Sequence, residues 1–257
     1  MAGEARIITG RRGEVLVATF HNPPDGLMDL HLLEQLEALL HELEADRYLR
    51  AVVFAGGVAG AFIRHFDVRV IAELTGGDAA AVIGRMHAAY DRVEALGVPT
   101  IAAIDGACMG GGLEFALCCD LRIAAPSAGP FGFPECSVGI FPATGGTQRA
   151  PRIIGEARAL ELMLTGRLLR AQEAFELGLL HRLADAPLEA AARLASRLAG
   201  MPAGSLKTIK GLVRGACERP LRDGLQQERV AFAEILQDPE CSRILKSFAA
   251  GSDPVAR

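Results

Sequence analysis

The chain has 257 residues, of which 50% are hydrophobic and 23% are charged, and its formal net charge is −4. This length suits one large domain, or one domain with an appended helical piece, and the composition excludes a disordered chain. The mildly acidic balance, with a pI of about 5.9, excludes a whole-protein attraction to nucleic acid or to an anionic membrane. This charge balance is still compatible with a local basic patch that binds a small phosphorylated ligand.

The first ten residues contain Glu4 and Arg6 and lack the apolar core of a secretory signal, so export is not expected. No apolar run approaches the ~20 residues that span a bilayer. The six cysteines form no CxxC pair and have no histidine nearby at zinc-ligand spacing, so we expect no metal site and six reduced core residues. These features predict a cytoplasmic protein.

Strand and helix signals alternate from the start of the chain. Glu14–Phe20 is predicted as a strand that ends at the turn residues Asn22–Gly26. Leucines at helical spacing follow over Leu32–Leu43, and Asp29 is the predicted N-cap. Ala51–Ala55 is then a short apolar run, typical of a buried strand in an α/β sheet.

The same alternation continues with a helix over Asp78–Leu96, a strand over Pro99–Ile104, a helix over Leu113–Cys119 and a strand over Leu121–Ala125. Beyond about Gly155 the strand signals stop, and six helices are predicted. These are Glu156–Leu164, Ala171–Leu177, Pro187–Ala199, Pro202–Ala216, Pro220–Leu236 and Pro239–Ala249.

No Ser/Gly-rich or Pro-rich linker separates the two parts of the chain. We therefore predict an α/β core over residues 1–200, which carries the functional site, and a helical region over residues 201–257. Long amphipathic helices after a complete core often pack against a second partner. Oligomerisation through the C-terminal helices is therefore a hypothesis.

The segment Asp105–Glu114 directly follows a predicted strand, and its three glycines, Gly110–Gly112, open a predicted helix. A helix start exposes unpaired N–H groups and the positive end of the helix dipole, so an anionic oxygen would be stabilised there. Two plainer explanations are that the glycines allow tight packing, and that Glu114 is simply favoured in the first helical turn. A dinucleotide-binding turn is disfavoured, because the GxGxxG spacing is absent.

The following loop, Phe131–Glu135 and Val138–Arg149, makes the pattern specific. Together with the glycine segment it resembles the crotonase, or enoyl-CoA hydratase/isomerase, superfamily, and the resemblance runs from about Val15 to the C-terminus. Further matching segments are Asn22–Pro24, Ala61–Asp67, Asp105–Asp120, Leu164–Arg167 and Ala171–Leu179. The resemblance implies an α/β fold, a crotonase-like spiral of ββα units with a helical C-terminal region, assembled as a homotrimer or homohexamer.

The resemblance also implies the roles of individual residues. Two backbone N–H groups, at positions matching Ile63 and Gly111, would form an oxyanion hole for the thioester oxygen. The two catalytic acids match Glu114 and Glu135. The positions implied for binding substrate and coenzyme A are Leu27, Ile63, Arg64, His65, Phe66 and Gly111. No metal and no separate cofactor is implied, since coenzyme A arrives as part of an acyl-CoA thioester.

One residue departs from the family pattern. His65 stands where the family usually has a glycine, so we expect the bulkier side chain to reshape the pocket or the loop backbone. A third acid/base role for His65 and a phosphate contact for Arg64 are further interpretations, beside a packing role and a solvated surface arginine.

The retention of both acids favours hydration, because family members that only isomerise double bonds commonly lose the acid matching Glu114. The leading expectation is an enoyl-CoA hydratase. Another reaction of the superfamily is the main alternative: isomerase, dehalogenase, hydrolase or decarboxylase chemistry. A second alternative is a non-catalytic CoA-binding or RNA-binding relative. Neither nucleic acid nor a membrane is expected as a partner.

Overall fold

The computed structural model describes residues 5–251. Residues 1–4, part of the segment predicted to carry no export signal, and residues 252–257, the end of the predicted helical region, lie outside the described residues. The strands are β1 (Arg6–Arg12), β2 (Val15–His21), β3 (Ala51–Gly56), β4 (Gly60–Ile63), β5 (Thr100–Ile104), β6 (Gly106–Met109), β7 (Leu121–Ala124), β8 (Phe131–Gly132), β9 (Leu168–Leu169) and β10 (Arg182–Leu183).

Helices occupy most of the remaining described chain. The α-helices are α1 (Leu30–Ala45), α2 (Val68–Glu73), α3 (Gly76–Ala95), α4 (Gly111–Cys118), α5 (Gly146–Ile154), α6 (Glu156–Thr165), α7 (Ala171–Glu176), α8 (Pro187–Ala199), α9 (Ala203–Arg214), α10 (Leu221–Ile235) and α11 (Pro239–Ala249). Two 3₁₀ turns cover Pro134–Val138 and Gly215–Glu218.

The strands form two sheets. One has the order β1-β2-β3-β5-β7-β10 and the other the order β4-β6-β8-β9. Along the chain, β3 and β4, β5 and β6, and β7 and β8 each place their first strand in the larger sheet and their second in the smaller one. Neighbouring units pair in parallel, and one or two helices follow each pair. The repeat is a ββα unit, and successive units wind into a spiral.

The core centres on α4, all eight residues of which are buried. The ring of Phe115 lies in this helix, with its centroid 5.1 Å from Phe20, 5.1 Å from Phe54 and 5.4 Å from Tyr90, in edge-to-face geometry. Such aromatic pairs each contribute about 0.5–1.5 kcal/mol beyond their burial. Packing around Phe115 therefore fixes the position of α4, and with it the glycines that open the helix.

The predicted α/β core elements are confirmed within about two residues. Asp29 is the N-cap of α1, accepting the backbone N–H of Leu32, and the six predicted leucines of this helix are buried. The expectation that strands stop beyond Gly155 is wrong, since β9 and β10 pair with β8 and β7. Each has two residues, which is too short for any periodicity to mark it.

The expectation that all six cysteines lie in the core is half wrong. Cys108, Cys118 and Cys119 are buried, whereas Cys136 and Cys217 are exposed and Cys241 is intermediate. The exposed ones lie in 3₁₀ turns that carry little apolar packing.

The chain divides into two compact units, one ending at Leu198 and one beginning at Ala199. In the second unit, α9, α10 and α11 leave many large apolar side chains exposed. Among the described residues, no helix is long and apolar enough to cross a membrane.

Candidate active site

The site is built around the start of α4. Strand β6 ends at Met109, Gly110 adopts φ +47°, and the helix begins at Gly111. A Cβ at Gly112 would lie 1.9 Å from the carbonyl oxygen of Ile63, so only glycine lets the helix start this close to the end of β4. The Gly111 N–H, at the first helical position, has no acceptor among residues 5–251.

The segment after β4 pairs with the turn that precedes α1. The N–H of Arg64 donates to Gly26 at 2.8 Å, and that of Met28 donates to His65 at 2.9 Å. Leu27 therefore lies alongside Arg64 and His65. Phe66 completes the group, because its Cβ is 3.3 Å from the Cβ position of Gly111. The structure thus brings the positions predicted for substrate binding together at the start of α4.

His65 sits in this segment without forcing an unusual backbone. Among the described residues no non-glycine has a positive φ, so the loop does not need a glycine here. The ring is half-buried, and its Nδ1 donates to the carbonyl oxygen of Phe66 at 2.8 Å. The Nε of Arg64, in contrast, donates to the carbonyl oxygen of Asp25 on the exposed side of the turn.

Glu114, in the first turn of α4, is only 2% exposed. Its Oε1 accepts the N–H of Thr144 at 2.8 Å and that of Gly146 at 2.7 Å, and its Oε2 accepts the Thr144 hydroxyl at 2.5 Å. Gly146 is the first residue of α5. The carboxylate therefore lies between the N-terminal ends of two helices, where three donors and both helix dipoles favour its negative charge.

Burial acts against that charge. Desolvation is the largest effect and raises the pKa of Glu114, while the three hydrogen bonds and the nearby His87 act to lower it. All three protein groups that contact the carboxylate are donors, so they suit an ionised acceptor. Oε2 accepts only one of them and has a lone pair left for a further donor.

Glu135 has a different environment. It lies in the 3₁₀ turn that follows β8, and its Oε1 would be 2.8 Å from a Cβ at Gly110, so Gly110 leaves space for the carboxyl group. Its Oε2 is buried without a hydrogen-bond partner among the described residues. Burial, together with the negative charge of Glu114, raises the pKa of Glu135 to about 7, although its own backbone N–H opposes the shift.

The carboxyl groups of Glu114 and Glu135 therefore differ in hydrogen bonding and in pKa. Glu114 is held by three donors, whereas Glu135 keeps a free oxygen and a pKa near neutrality. Such a pair suits an acceptor for the proton of a bound water and a group that exchanges a proton with carbon. Among residues 5–251, His, Cys, Asp and Glu side chains do not cluster in threes as a metal site would require.

The family described as enoyl-CoA hydratase/isomerase matches residues 10–254. The chain belongs to the enoyl-CoA hydratase/isomerase family. Its ββα spiral is accordingly the crotonase fold, as the sequence resemblance implies.

Family members of known sequence resemble the chain over most of its length. A probable enoyl-CoA hydratase of Bacillus subtilis is 32% identical, over 93% of this chain and 94% of that protein. The probable enoyl-CoA hydratase echA8 of Mycobacterium bovis is 34% identical, over 94% of each. The fatty acid oxidation complex subunit alpha of Idiomarina loihiensis is longer. It is 29% identical over 93% of this chain, which spans only 40% of its length.

Solved structures superpose closely on this chain. Pseudomonas aeruginosa DspI has a TM-score of 0.92 at 31% identity, covering 98% of this chain and 97% of that one. Enoyl-CoA hydratase from Bacillus anthracis has a TM-score of 0.91 at 31% identity, covering 97% and 98%.

Several residues that build this site have no role that the sequence alone predicts. Thr144 and Gly146 lie inside the matched loop, but their contact with Glu114 depends on the fold. Tyr90 of α3 is fully buried and donates to the Gly111 carbonyl oxygen at 3.2 Å. Only its position on the apolar face of a predicted helix could have marked it as close to the core.

Proposed function

We propose that this family member is an enoyl-CoA hydratase, which adds water across the α,β-double bond of an enoyl-CoA thioester. The observation that carries the proposal is the contrast between the two acids. Glu114 accepts three hydrogen bonds and keeps a lone pair for water, whereas Glu135 has a buried, unpartnered oxygen and a pKa of about 7. Hydration needs one group of each kind.

In the proposed reaction, the water oxygen bonds to the β-carbon while a water proton passes to Glu114. The electrons of the double bond move towards the α-carbon and the thioester oxygen, where backbone N–H groups of Ile63 and Gly111 stabilise the enolate. Glu135 then donates a proton to the α-carbon, which yields the 3-hydroxyacyl-CoA. The proton on Glu114 returns through solvent to Glu135. Losing one oxyanion-hole donor typically costs ~2.7–4 kcal/mol.

The coenzyme A moiety is proposed to lie along Leu27 and the segment Ile63–Phe66. Backbone hydrogen bonds hold this segment against the turn before α1, and Phe66 lies beside Gly111 at the start of α4. The proposed reaction moves only a water molecule and protons, and it needs no metal or redox cofactor.

A homotrimer or homohexamer is proposed for the assembly, formed through the second unit, and the protein is proposed to act in the cytoplasm. The support is the large set of exposed apolar side chains on α9, α10 and α11, since such surfaces mark protein contacts. These side chains are Ile209, Val213, Leu221, Leu225, Val230, Phe232, Leu245 and Phe248, and Leu236 directly after α10 is exposed as well. A monomeric mass by light scattering at micromolar concentration would refute the assembly.

The experiment that tests the function is a panel of enoyl-CoA thioesters of increasing chain length, with product identification by mass spectrometry. The wild type should add one water to a 2-enoyl-CoA, and Glu135→Gln and Glu114→Gln should each lower kcat by about 10²–10⁴. Double-bond migration without hydration would identify an isomerase instead. Tight binding of CoA without turnover of any enoyl-CoA would identify a binding protein, provided that Glu114→Ala leaves the binding unchanged.

A further inference from the structure

One peptide unit connects a surface histidine to the buried acid of the active site. The carbonyl oxygen of Ala143 lies 2.7 Å from Nε2 of His87, on helix α3. The N–H of the same peptide unit, which belongs to Thr144, donates to Oε1 of Glu114 at 2.8 Å. Since a carbonyl oxygen only accepts, the histidine nitrogen carries the proton and donates.

We propose that His87 is a positioning residue for Glu114, which acts through the Ala143–Thr144 peptide, and that Arg149 holds the next peptide in the same way. This role deepens the proposed hydration and rests on it. His87 does not touch the carboxylate. It fixes the plane of the Ala143–Thr144 peptide, whose N–H contacts the carboxylate. A donor at the carbonyl oxygen also polarises the N–H of the same peptide.

Arg149 supplies the second attachment. Its NH1 group lies 3.5 Å from the Thr144 carbonyl oxygen, and a Cβ at Gly145 would collide with the guanidinium group at 2.0 Å. Asp91 and Glu94 of α3 hold the guanidinium at 2.6 and 2.7 Å. The arginine is 14% exposed, so its ion pairs are partly shielded from water.

The three side chains on α3 share one face of the helix. His87, Asp91 and Glu94 are spaced four and three residues apart, which places them one above another. A single rigid helix therefore holds two consecutive peptides, and those peptides present the Thr144 N–H and hydroxyl to Glu114. Without α3, the loop would depend on Gly145, at φ +113°, for its conformation.

The arrangement is selective for one of the two acids. Glu135 lies in the separate turn Pro134–Val138, to which His87 and Arg149 make no hydrogen bond among residues 5–251. Releasing the loop should therefore impair the step that uses Glu114, the addition of water, and spare the proton exchange at the α-carbon that uses Glu135. A role limited to overall stability would not separate these two activities.

The test compares His87→Ala with His87→Gln, whose amide nitrogen can restore a donor near the Nε2 position. His41→Ala, which removes an exposed histidine from α1, is the matched control. Two rates are measured for each variant: kcat for hydration of a short 2-enoyl-CoA, and deuterium uptake at the α-carbon of a saturated acyl-CoA in D₂O. The second reaction needs the oxyanion hole and Glu135 but adds no water.

We expect His87→Ala to lower the hydration kcat roughly fivefold to tenfold, the effect of one hydrogen bond, with deuterium uptake changed less than twofold. His87→Gln should recover most of the loss, and His41→Ala should match the wild type. Asp91→Asn, which loosens Arg149 without removing it, should give a smaller loss of the same selective kind. Arg85→Gln, which breaks the ion pair between α3 and Glu37, is its control.

The proposal is overturned if hydration and deuterium uptake fall together, if neither changes, or if His87→Gln is as impaired as His87→Ala. A wild type that hydrates no enoyl-CoA would refute the proposed function instead. In that case a crystal structure of His87→Ala decides the positioning role. Displacement of Thr144 from Glu114 supports it, and a retained contact at 2.8 Å overturns it.

Discussion

Thr144 holds Glu114 with two donors of a single residue, its backbone N–H at 2.8 Å on Oε1 and its hydroxyl at 2.5 Å on Oε2. The residue is 4% exposed, so water cannot replace the hydroxyl readily. The contact fixes the rotation of the carboxylate as well as its place. It follows that the hydroxyl should matter for activity even though it is not expected to touch the reacting carbons.

Thr144→Val removes the hydroxyl and keeps both the shape of the side chain and the backbone N–H. Loss of this donor should raise the pKa of Glu114 further and lower the hydration kcat by about tenfold, with a smaller effect on KM. Thr144→Ser should retain most activity, because it keeps the hydroxyl. A valine variant as active as the serine variant would show that the hydroxyl does not support Glu114.

The pKa of Glu135 is about 7, against an ordinary value of 4.5. It predicts opposite pH profiles for hydration of an enoyl-CoA and for deuterium uptake by a saturated acyl-CoA. Hydration needs the protonated acid as donor, so kcat/KM should fall as pH rises through about 7. Deuterium uptake by a saturated acyl-CoA needs the carboxylate as base, so that rate should rise over the same range. Parallel profiles for the two reactions would contradict the assignment of Glu135 to the α-carbon.

The same raised pKa has a consequence for stability. Because the folded protein favours the protonated form of Glu135, this contribution to stability is fully present below the unfolded pKa of about 4.5 and is lost as pH rises through about 7. Glu135→Gln cannot ionise, so its Tm should exceed that of the wild type by a few degrees at about pH 8 and by less at about pH 5. A Tm difference that does not change with pH would oppose a buried, pKa-shifted carboxyl group.

Part of this site is predictable from the sequence, because its residues lie close together in the chain. Gly110–Gly112 and Glu114 lie in the short segment 110–114 after strand β6, so the helix start and the acid in its first turn can be recognised without the fold. The loop that holds Glu114 has no such local signal. His87 and Ala143 are 56 residues apart, and no periodicity connects a helix face to an irregular loop.

The elements of the fold also differ in how far the sequence predicts them. Strand β3 and helix α1 were predictable, because a fully apolar run and a leucine stripe each have a length that periodicity can detect. The strands of the smaller sheet, β4, β6, β8 and β9, have two to four residues each. Their pairing depends on neighbours supplied by the spiral, so residue preferences alone could not assign them.

His65 offers a test of how the substrate-binding segment is held. Its ring donates to the Phe66 carbonyl oxygen, and its own carbonyl oxygen accepts the N–H of Met28. His65→Gly should loosen the segment and raise KM for an enoyl-CoA severalfold with little change in kcat, because the acids are untouched. His21→Gly removes another histidine whose ring contacts a carbonyl oxygen, that of Gly57, and should leave KM unchanged. Equal effects of both variants on KM would deny His65 a specific role.

Gly112 is predicted to tolerate no side chain. A Cβ there would lie 1.9 Å from the Ile63 carbonyl oxygen and 3.1 Å from the Ile63 Cβ, and neither backbone can retreat within the packed core. Gly112→Ala should therefore destabilise the protein by about 1–3 kcal/mol or more. Gly84 of α3 is exposed, and a Cβ there would meet no atom within 4 Å. Gly84→Ala should therefore stabilise the protein by about 0.5–1 kcal/mol. Urea denaturation measures both, and equal changes would refute the close approach.

Arg122 of β7 is predicted to secure the other end of the catalytic helix. Only 3% exposed, it donates to the carbonyl oxygens of Ala116 and Cys119 at the end of α4 and to Leu179 at 2.6 Å. A cation there satisfies the last carbonyl groups and suits the negative end of the helix dipole.

Arg122→Met keeps the bulk of the side chain and removes its donors, so the buried carbonyl oxygens lose a partner. We expect a loss of about 2–4 kcal/mol in the free energy of unfolding. Arg182→Met, on the exposed strand β10, should change it by less than ~0.5 kcal/mol. Because α4 carries both Gly111 and Glu114, the Arg122 variant should also lower kcat at temperatures where it remains folded. Full activity together with full stability would mean that core packing around Phe115 alone positions the helix.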